Sequence, residues 1–215
     1  ALIHDAGAIS ENVGVLITAG SGVEMASWID RTRGVLMAWF GGNAGNTAVG
    51  EILFGDVNPS GRLPFTIERR WEDSPAYGRF LPHDAVFDDQ PIWGLERAVF
   101  PVVYEEGLLS GYRHFDAAGI EPLFPFGHGL SYTTFAYADL EISPGVSAGE
   151  PVAVVRFRVT NSGGRAGDEI AQVYLGREGE ADDRPVRVLR GFRRLSLEPG
   201  ESAVVEFELS RRDLR

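Results

Sequence analysis

The sequence predicts an α/β segment followed by an all-β sandwich, with a long aromatic loop region between them. Three observations carry this. Two short apolar runs near the start are each followed by a glycine-rich break, and the second break leads into a helical pattern. Residues 55–134 are rich in Gly, Pro and scattered aromatics and show little regular periodicity. From Phe135 onward, apolar and polar residues alternate with period two between turn signals.

In chain order, Ala1–Ile9 reads as the end of a helix, and Val13–Thr18 (VGVLIT) as a short strand of buried type. Gly34–Phe40 (GVLMAWF) is a second such strand. Gly41-Gly42-Asn43 ends it, and Ala44–Phe54 then places Val49, Ile52 and Leu53 at helical spacing. Strand, glycine break and helix form the βα unit of a sheet covered by helices. Two or three strands do not make a stable α/β domain by themselves, so the sheet is expected to be incomplete. Its apolar runs should then leave apolar surface uncovered.

The middle region carries Trp71, Tyr77, Phe80, Phe87, Trp93, Phe100, Tyr104 and Tyr112, which predict a loop packed down on a domain. In Pro151–Thr160, Ala153, Val155, Phe157 and Val159 share one face, and Arg156, Arg158 and Thr160 take the other. Asn161-Ser162-Gly163-Gly164 is a turn signal. Ala171, Val173 and Leu175 alternate with Ile170, Gln172 and Tyr174. Val186–Phe192 reads as another strand, Pro199-Gly200 as a turn, and Ser202–Ser210 points Ala203, Val205, Phe207 and Leu209 inward. Short alternating strands with regular turns predict a β-sandwich.

Composition narrows the function classes. The 215 residues are 44% hydrophobic and 24% charged, ordinary globular usage. The formal net charge of −11 repels phosphate backbones, so nucleic acid is not expected as a partner, whereas neutral sugars are compatible with it. All twenty basic residues are Arg. With no Cys, the described chemistry excludes disulfides, thiol nucleophiles and Cys-ligated metals, and leaves the compartment open. No apolar run approaches the roughly 20 residues that span a bilayer, so no membrane association is expected.

Candidate chemistry is sparse. Glycosidic cleavage uses two carboxyl groups flanking the bond, one of them kept protonated by its surroundings. The adjacent acids Asp88-Asp89, Glu105-Glu106 and Asp182-Asp183 point in different directions on any regular element, so solvated or salt-bridged acids are the simpler reading. Glu106 lies near Arg113, and a structural ion pair between those two is expected to pin the loop to the sandwich. Gly41-Gly42-Asn43-Ala44-Gly45 opens a helix but lacks the spacing and the Lys of a phosphate loop, so close helix–sheet packing is its expected role. His4, His83, His114 and His128 show no metal-ligand spacing, and Ser21 fails the spacing of a nucleophile elbow. Asn58-Pro59-Ser60-Gly61 is a turn expected to fix the edge of the sandwich. Sugars stack on aromatic rings, so Trp71, Trp93 and Tyr104 are the candidate substrate contacts, against the alternative of rings that merely anchor the loop.

Three long motifs stand in one order: GDVNPSGRLPFT (Gly55–Thr66), VVYEEGLLSGYRHFD (Val102–Asp116) and FPFGHGLSYTTF (Phe124–Phe135). That order resembles the C-terminal part of the family 3 glycoside hydrolases, the β-glucosidase-like enzymes, over nearly the whole chain. The resemblance implies residues 1–70 as the C-terminal portion of an α/β sandwich domain, 71–134 as a loop region and linker, and 135–215 as a fibronectin type III-like domain whose last strand is expected to be missing. It implies retaining hydrolysis of β-linked glucose or a related sugar by the intact enzyme, without metal or organic cofactor. It also places the nucleophilic aspartate and the acid/base glutamate upstream of Ala1, so no catalytic residue is expected here. The expected partners are a glycoside or oligosaccharide and the N-terminal domains of the same enzyme; homo-oligomerisation is left open. The rival class is a non-catalytic carbohydrate-binding or interaction module.

Overall fold

The computed structural model describes residues 2–79, 86–92, 95–99, 104–145, 151–176 and 184–214, with the backbone alone for 86–92 and 95–99. Trp93, His83 and Asp182-Asp183 lie outside these residues, as do the side chains of Asp88-Asp89.

The first part is a parallel βα arrangement. Helix α1 (Leu2–Ile9) precedes strand β1 (Gly14–Ile17), which pairs in parallel with β2 (Gly34–Met37), Val15 opposite Val35 and Ile17 opposite Met37. Helix α2 (Gly45–Phe54) follows and ends on Gly55, whose φ of 82° supplies the left-handed turn that closes helices. Glycine is also required at Gly41, where a Cβ would stand 2.9 Å from Cα of Gly45. The close packing expected of this loop is therefore real, but it presses the loop against the start of its own helix.

Ile17, Met25, Trp28 and Ile67 are the buried centre of this part, with Leu63, Phe65, Leu123 and Phe124 packed against them. Residues 63–67 and 122–128 are laced together: the Ile67 amide donates to the Phe124 carbonyl at 2.8 Å, and the Leu63 amide to His128 at 2.8 Å. The first and third sequence motifs thus meet on the core of this part. The expected exposure of apolar surface is present. Leu16 is 47% exposed and Phe40 75%, and Leu2, Ile9, Leu53 and Phe54 project from the helices into solvent. Strand β1 is accordingly buried on one side only, a correction to its reading as a fully buried strand.

The middle region is more regular than its sequence. It holds an antiparallel pair, β3 (Val86–Ile92) with β4 (Leu95–Val99), and helix α3 (Tyr112–Ala118). Proline at 91 and a register shift between Asp88 and Ile92 obscure the alternation of the pair.

The sandwich follows the alternation closely. Strands β5 (Phe135–Pro144), β6 (Ala153–Asn161) and β9 (Ser202–Leu209) form one antiparallel sheet in the order β5-β6-β9. Strands β7 (Gly167–Gly176) and β8 (Arg187–Leu197) form the other. Val155, Phe157, Val159, Ala171, Val173, Leu197, Val205 and Leu209 are the core between them. Asn161, at the end of β6, is fully buried and fully used: its carbonyl accepts from Thr133 Oγ1 at 2.7 Å, and its amide donates to the carbonyls of Arg165 and Leu197. A turn-type residue is tolerated there because every polar atom has a partner.

Candidate functional site

Parallel sheets bind ligands outside the carboxyl ends of their strands. Here those ends are the loops after Ile17 and Met37. The first, Thr18–Met25, carries Ser21 and Glu24. The Glu24 carboxylate accepts from the Ser27 amide at 2.9 Å and from Ser27 Oγ at 2.7 Å. These two bonds, the side-chain one foremost, hold its pKa below the ordinary carboxylate value. It is spent as a local cap. The second loop carries Trp39 at a φ of 56°, an uncommon conformation for a bulky residue that costs about 1–3 kcal/mol. Edge-to-face packing of its ring on Phe65 at 5.5 Å holds it. The turn presents Phe40 to solvent, lying so close over Gly20 that a Cβ there would be 2.9 Å from the ring. An exposed aromatic at the carboxyl end of a parallel pair was not found from the sequence, because nothing in WFGG announces the positive φ.

The second aromatic group lies in the loop region. Trp71 opens a short 3-10 turn (Trp71–Asp73) and meets Tyr77 edge-on at 6.1 Å. Arg70 and Asp73 bracket that turn with an ion pair at 2.7 Å, which lowers the Asp73 pKa. Trp71 is 48% exposed and Tyr104 82%, so both are open to a ligand. Arg79 ties their two segments together, 3.1 Å from Glu105 and 3.8 Å from Glu106. Of the three candidate sugar contacts, the structure thus joins the segments of Trp71 and Tyr104.

The expected Glu106–Arg113 ion pair does not form among the described residues. Glu106 is paired with Arg79, and the Arg113 guanidinium lies 5.7 Å from the ring of Tyr112. Two glycines with positive φ, Gly107 (φ 54°) and Gly111 (φ 56°), lie between them, so nearness in sequence does not fix how the two side chains are placed. The pin exists, with other partners. Asp116 accepts from Nε and Nη2 of Arg187, both at 2.9 Å, and the Leu189 amide donates to the Tyr112 hydroxyl at 2.9 Å. Helix α3 is fastened to β8 by those three bonds.

The two halves of the molecule meet through the GDVNPSG motif. The Asn58 amide donates to the Ala166 carbonyl at 2.9 Å, and its Oδ1 accepts from Ser131 Oγ and the Tyr132 amide. The expected edge-fixing role is therefore carried by one side chain. Arg62, in the same motif, pairs with Glu169 on β7.

Among the described residues, four carboxyl groups have clearly displaced pKa values: Glu24, Asp73, Asp168 and Asp213. All four are displaced downward. For Asp168, burial pushes up, and hydrogen bonds from Ser196 and Arg194 outweigh it. A general acid needs the opposite displacement. Among the described residues no group of three His, Asp or Glu is placed to hold a metal ion, and no helix is long and apolar enough to cross a membrane.

Comparison with known proteins agrees with the fold. Residues 1–132 match the glycosyl hydrolase family 3 C-terminal domain, and residues 169–215 match the fibronectin type III-like domain. The chain is 40% identical over 211 residues to the thermostable beta-glucosidase B of Acetivibrio thermocellus, covering 98% of this chain and 26% of that protein. It is 38% identical over 210 residues to a probable beta-glucosidase I of Aspergillus oryzae, covering 95% of this chain and 23% of that one. Among solved structures, the Bifidobacterium adolescentis GH3 beta-glucosidase superposes with a TM-score of 0.83 at 33% identity, over 99% of this chain and 29% of that chain. Beta-glucosidase 3B of Thermotoga neapolitana gives 0.79 at 39% identity, over 98% and 27%. The chain spans about a quarter of the length of the relatives it matches. It belongs to glycosyl hydrolase family 3, and it carries that family's C-terminal domain followed by a fibronectin type III-like domain.

Proposed function

We propose that this chain is the structural, loop-bearing part of a retaining glycoside hydrolase that removes β-linked glucose or a related sugar from glycosides. The nucleophile and the acid/base carboxyl are supplied by other segments of the same enzyme. The observation that carries the reading is the family match across both parts, with relatives named as β-glucosidases. The downward displacement of Glu24, Asp73, Asp168 and Asp213 supports it, because none of these carboxyls is set up as a proton donor near neutral pH.

In this reading the solvent-facing apolar surface of α1, β1 and α2 packs against the rest of the enzyme. Trp71 and Tyr104, and Trp93 with them, are sugar contacts on the loop region. Such contacts bind substrate and transition state alike, so they act on KM. In the complete enzyme, Trp71→Ala and Tyr104→Ala should each raise KM for an oligosaccharide by about tenfold, the cost of one lost stacking contact of roughly 1.4 kcal/mol, with kcat kept. Unchanged KM in both variants would reduce these rings to loop anchors.

A further inference from the structure

Two rings on separate segments act on one sugar only if their backbones are held in a fixed relation. We propose that Arg79 is the positioning residue that fixes the segment of Tyr104 against that of Trp71, and so tunes the affinity of the complete enzyme for an oligosaccharide. The inference rests on the reading of those two rings as sugar contacts.

Residues 70–79 are a run of tight turns. The amides of Asp73, Ser74, Tyr77 and Arg79 donate to the carbonyls of Arg70, Trp71, Ser74 and Ala76, at 3.0–3.1 Å. The Arg70–Asp73 ion pair closes the first turn, and Tyr77 packs back edge-on against Trp71 at 6.1 Å. Gly78 has a φ of 72°, a conformation that glycine adopts without strain, and it turns the chain just before Arg79. Trp71 and Arg79 therefore belong to one short unit bonded within itself.

Tyr104 stands on a different segment. It is 82% exposed and directly precedes Glu105, and the Leu109 amide donates to the Glu106 carbonyl at 2.8 Å. Among the described residues, the hydrogen bond and ion pairs that join this segment to 70–79 all come from Arg79. Its Nη2 donates to Glu105 Oε2 at 3.1 Å, and its Nη1 lies 3.8 Å from Glu106 Oε2. The same Nη1 donates to the Pro75 carbonyl at 3.0 Å, which holds the guanidinium to its own unit. The planar fork presents its donors in fixed directions, so engaging these acceptors together sets where the backbone of Tyr104 lies.

Stability is not a sufficient reason for this arrangement. The side chains of Arg79 and Glu105 are 38% and 64% exposed, and ion pairs so open to water add little to folding. What the guanidinium does control is placement. Without it, Glu105 and Glu106 are left as adjacent like charges, and the link from Tyr104 to the unit of Trp71 is gone.

The test uses the complete enzyme with cellobiose, and melting temperature is measured for every variant. Arg79→Ala and Glu105→Ala, which remove the contact from either side, should each raise KM about threefold with kcat held. Arg79→Lys keeps the charge without the fork and should recover part of the loss. In a Tyr104→Ala background, Arg79→Ala should add nothing to KM, because the ring it positions is absent. Raising sodium chloride to about 1 M should narrow the gap between the wild type and Arg79→Ala, since only the wild type holds a contact that salt screens. A lower melting temperature with KM unchanged would make Arg79 a structural residue only and overturn the proposal. KM increases that add in the double variant would overturn it as well. Unchanged KM in Arg79→Ala beside raised values in Trp71→Ala and Tyr104→Ala would overturn the positioning role and leave the rings as sugar contacts. Unchanged KM in both ring variants would remove the reading of the rings, and the role of Arg79 with it.

Discussion

Arg62 Nη2 donates to Glu169 Oε2 at 2.5 Å across the junction of the two domains, with only 12% and 11% of the respective side chains exposed. Tyr137 donates to the other carboxylate oxygen at 2.8 Å. Burial, together with this bond to Glu169, pushes the Tyr137 hydroxyl far above its ordinary pKa, so it remains a donor at any working pH. Both oxygens of a buried carboxylate are thus matched, which is the condition for such a pair to stabilise rather than strain the fold.

Breaking the pair from one side should be costly. Arg62→Met leaves a buried carboxylate with its cation gone, and Glu169→Gln leaves a buried guanidinium. Each should lower unfolding stability by about 3 kcal/mol, and the double variant should lose less than the sum. Chemical denaturation of the four proteins gives the coupling energy. Simple additivity would show that the pair does not hold the junction.

A second expectation concerns the fastening of α3. The bidentate bond between Asp116 and Arg187 takes the place that Arg113 was expected to fill. Arg187 is half exposed, so its contribution is discounted for solvent to about 1 kcal/mol. Arg187→Ala should speed hydrogen exchange across Tyr112–Ala118 more than Arg113→Ala does. The reverse order would return the pin to Arg113.

The difference between these arginines shows what was legible in the sequence. Period-two alternation placed Val155, Phe157, Val159, Ala171, Val173, Val205 and Leu209 in the core, because burial on a strand follows a pattern local to the strand. Glu169 is legible too: it lies in phase with Ala171 and Val173, and an acid in a core phase requires a buried partner. The partner itself, 107 positions away in sequence, was not legible. Nearness in sequence suggests Glu106 as the partner of Arg113, whereas Gly107 and Gly111, both at positive φ, lie between them and break any regular spacing. The antiparallel pair at 86–99 was hidden by a proline and a register shift. Trp39 and Phe40 owe their placement to a backbone angle that no side chain in the segment announces.

The histidine in the junction makes stability depend on pH. Burial first, and Arg62 second, hold His128 below its ordinary value of 6.5. The unfolded chain takes up a proton near 6.5, and the folded chain only at lower pH. The contribution is therefore complete above about 6.5 and is lost as the pH falls from there toward the folded value. Melting temperature should fall between about pH 7 and 5, and His128→Gln should flatten that fall while sharing the carboxylate titrations of the wild type. Parallel curves for the two proteins would remove His128 from the account.

The central claim is that this family 3 chain shapes a glycosidase without supplying its reacting carboxyls. Incubating purified residues 1–215 with a chromogenic aryl β-glucoside tests it most directly. Loss of the nucleophile and the acid/base removes most of a glycosidase's rate enhancement, so no turnover above the buffer rate is expected. Turnover at about 1 per second or faster, the range of ordinary enzymes, would contradict the claim and place a working carboxyl pair within this chain.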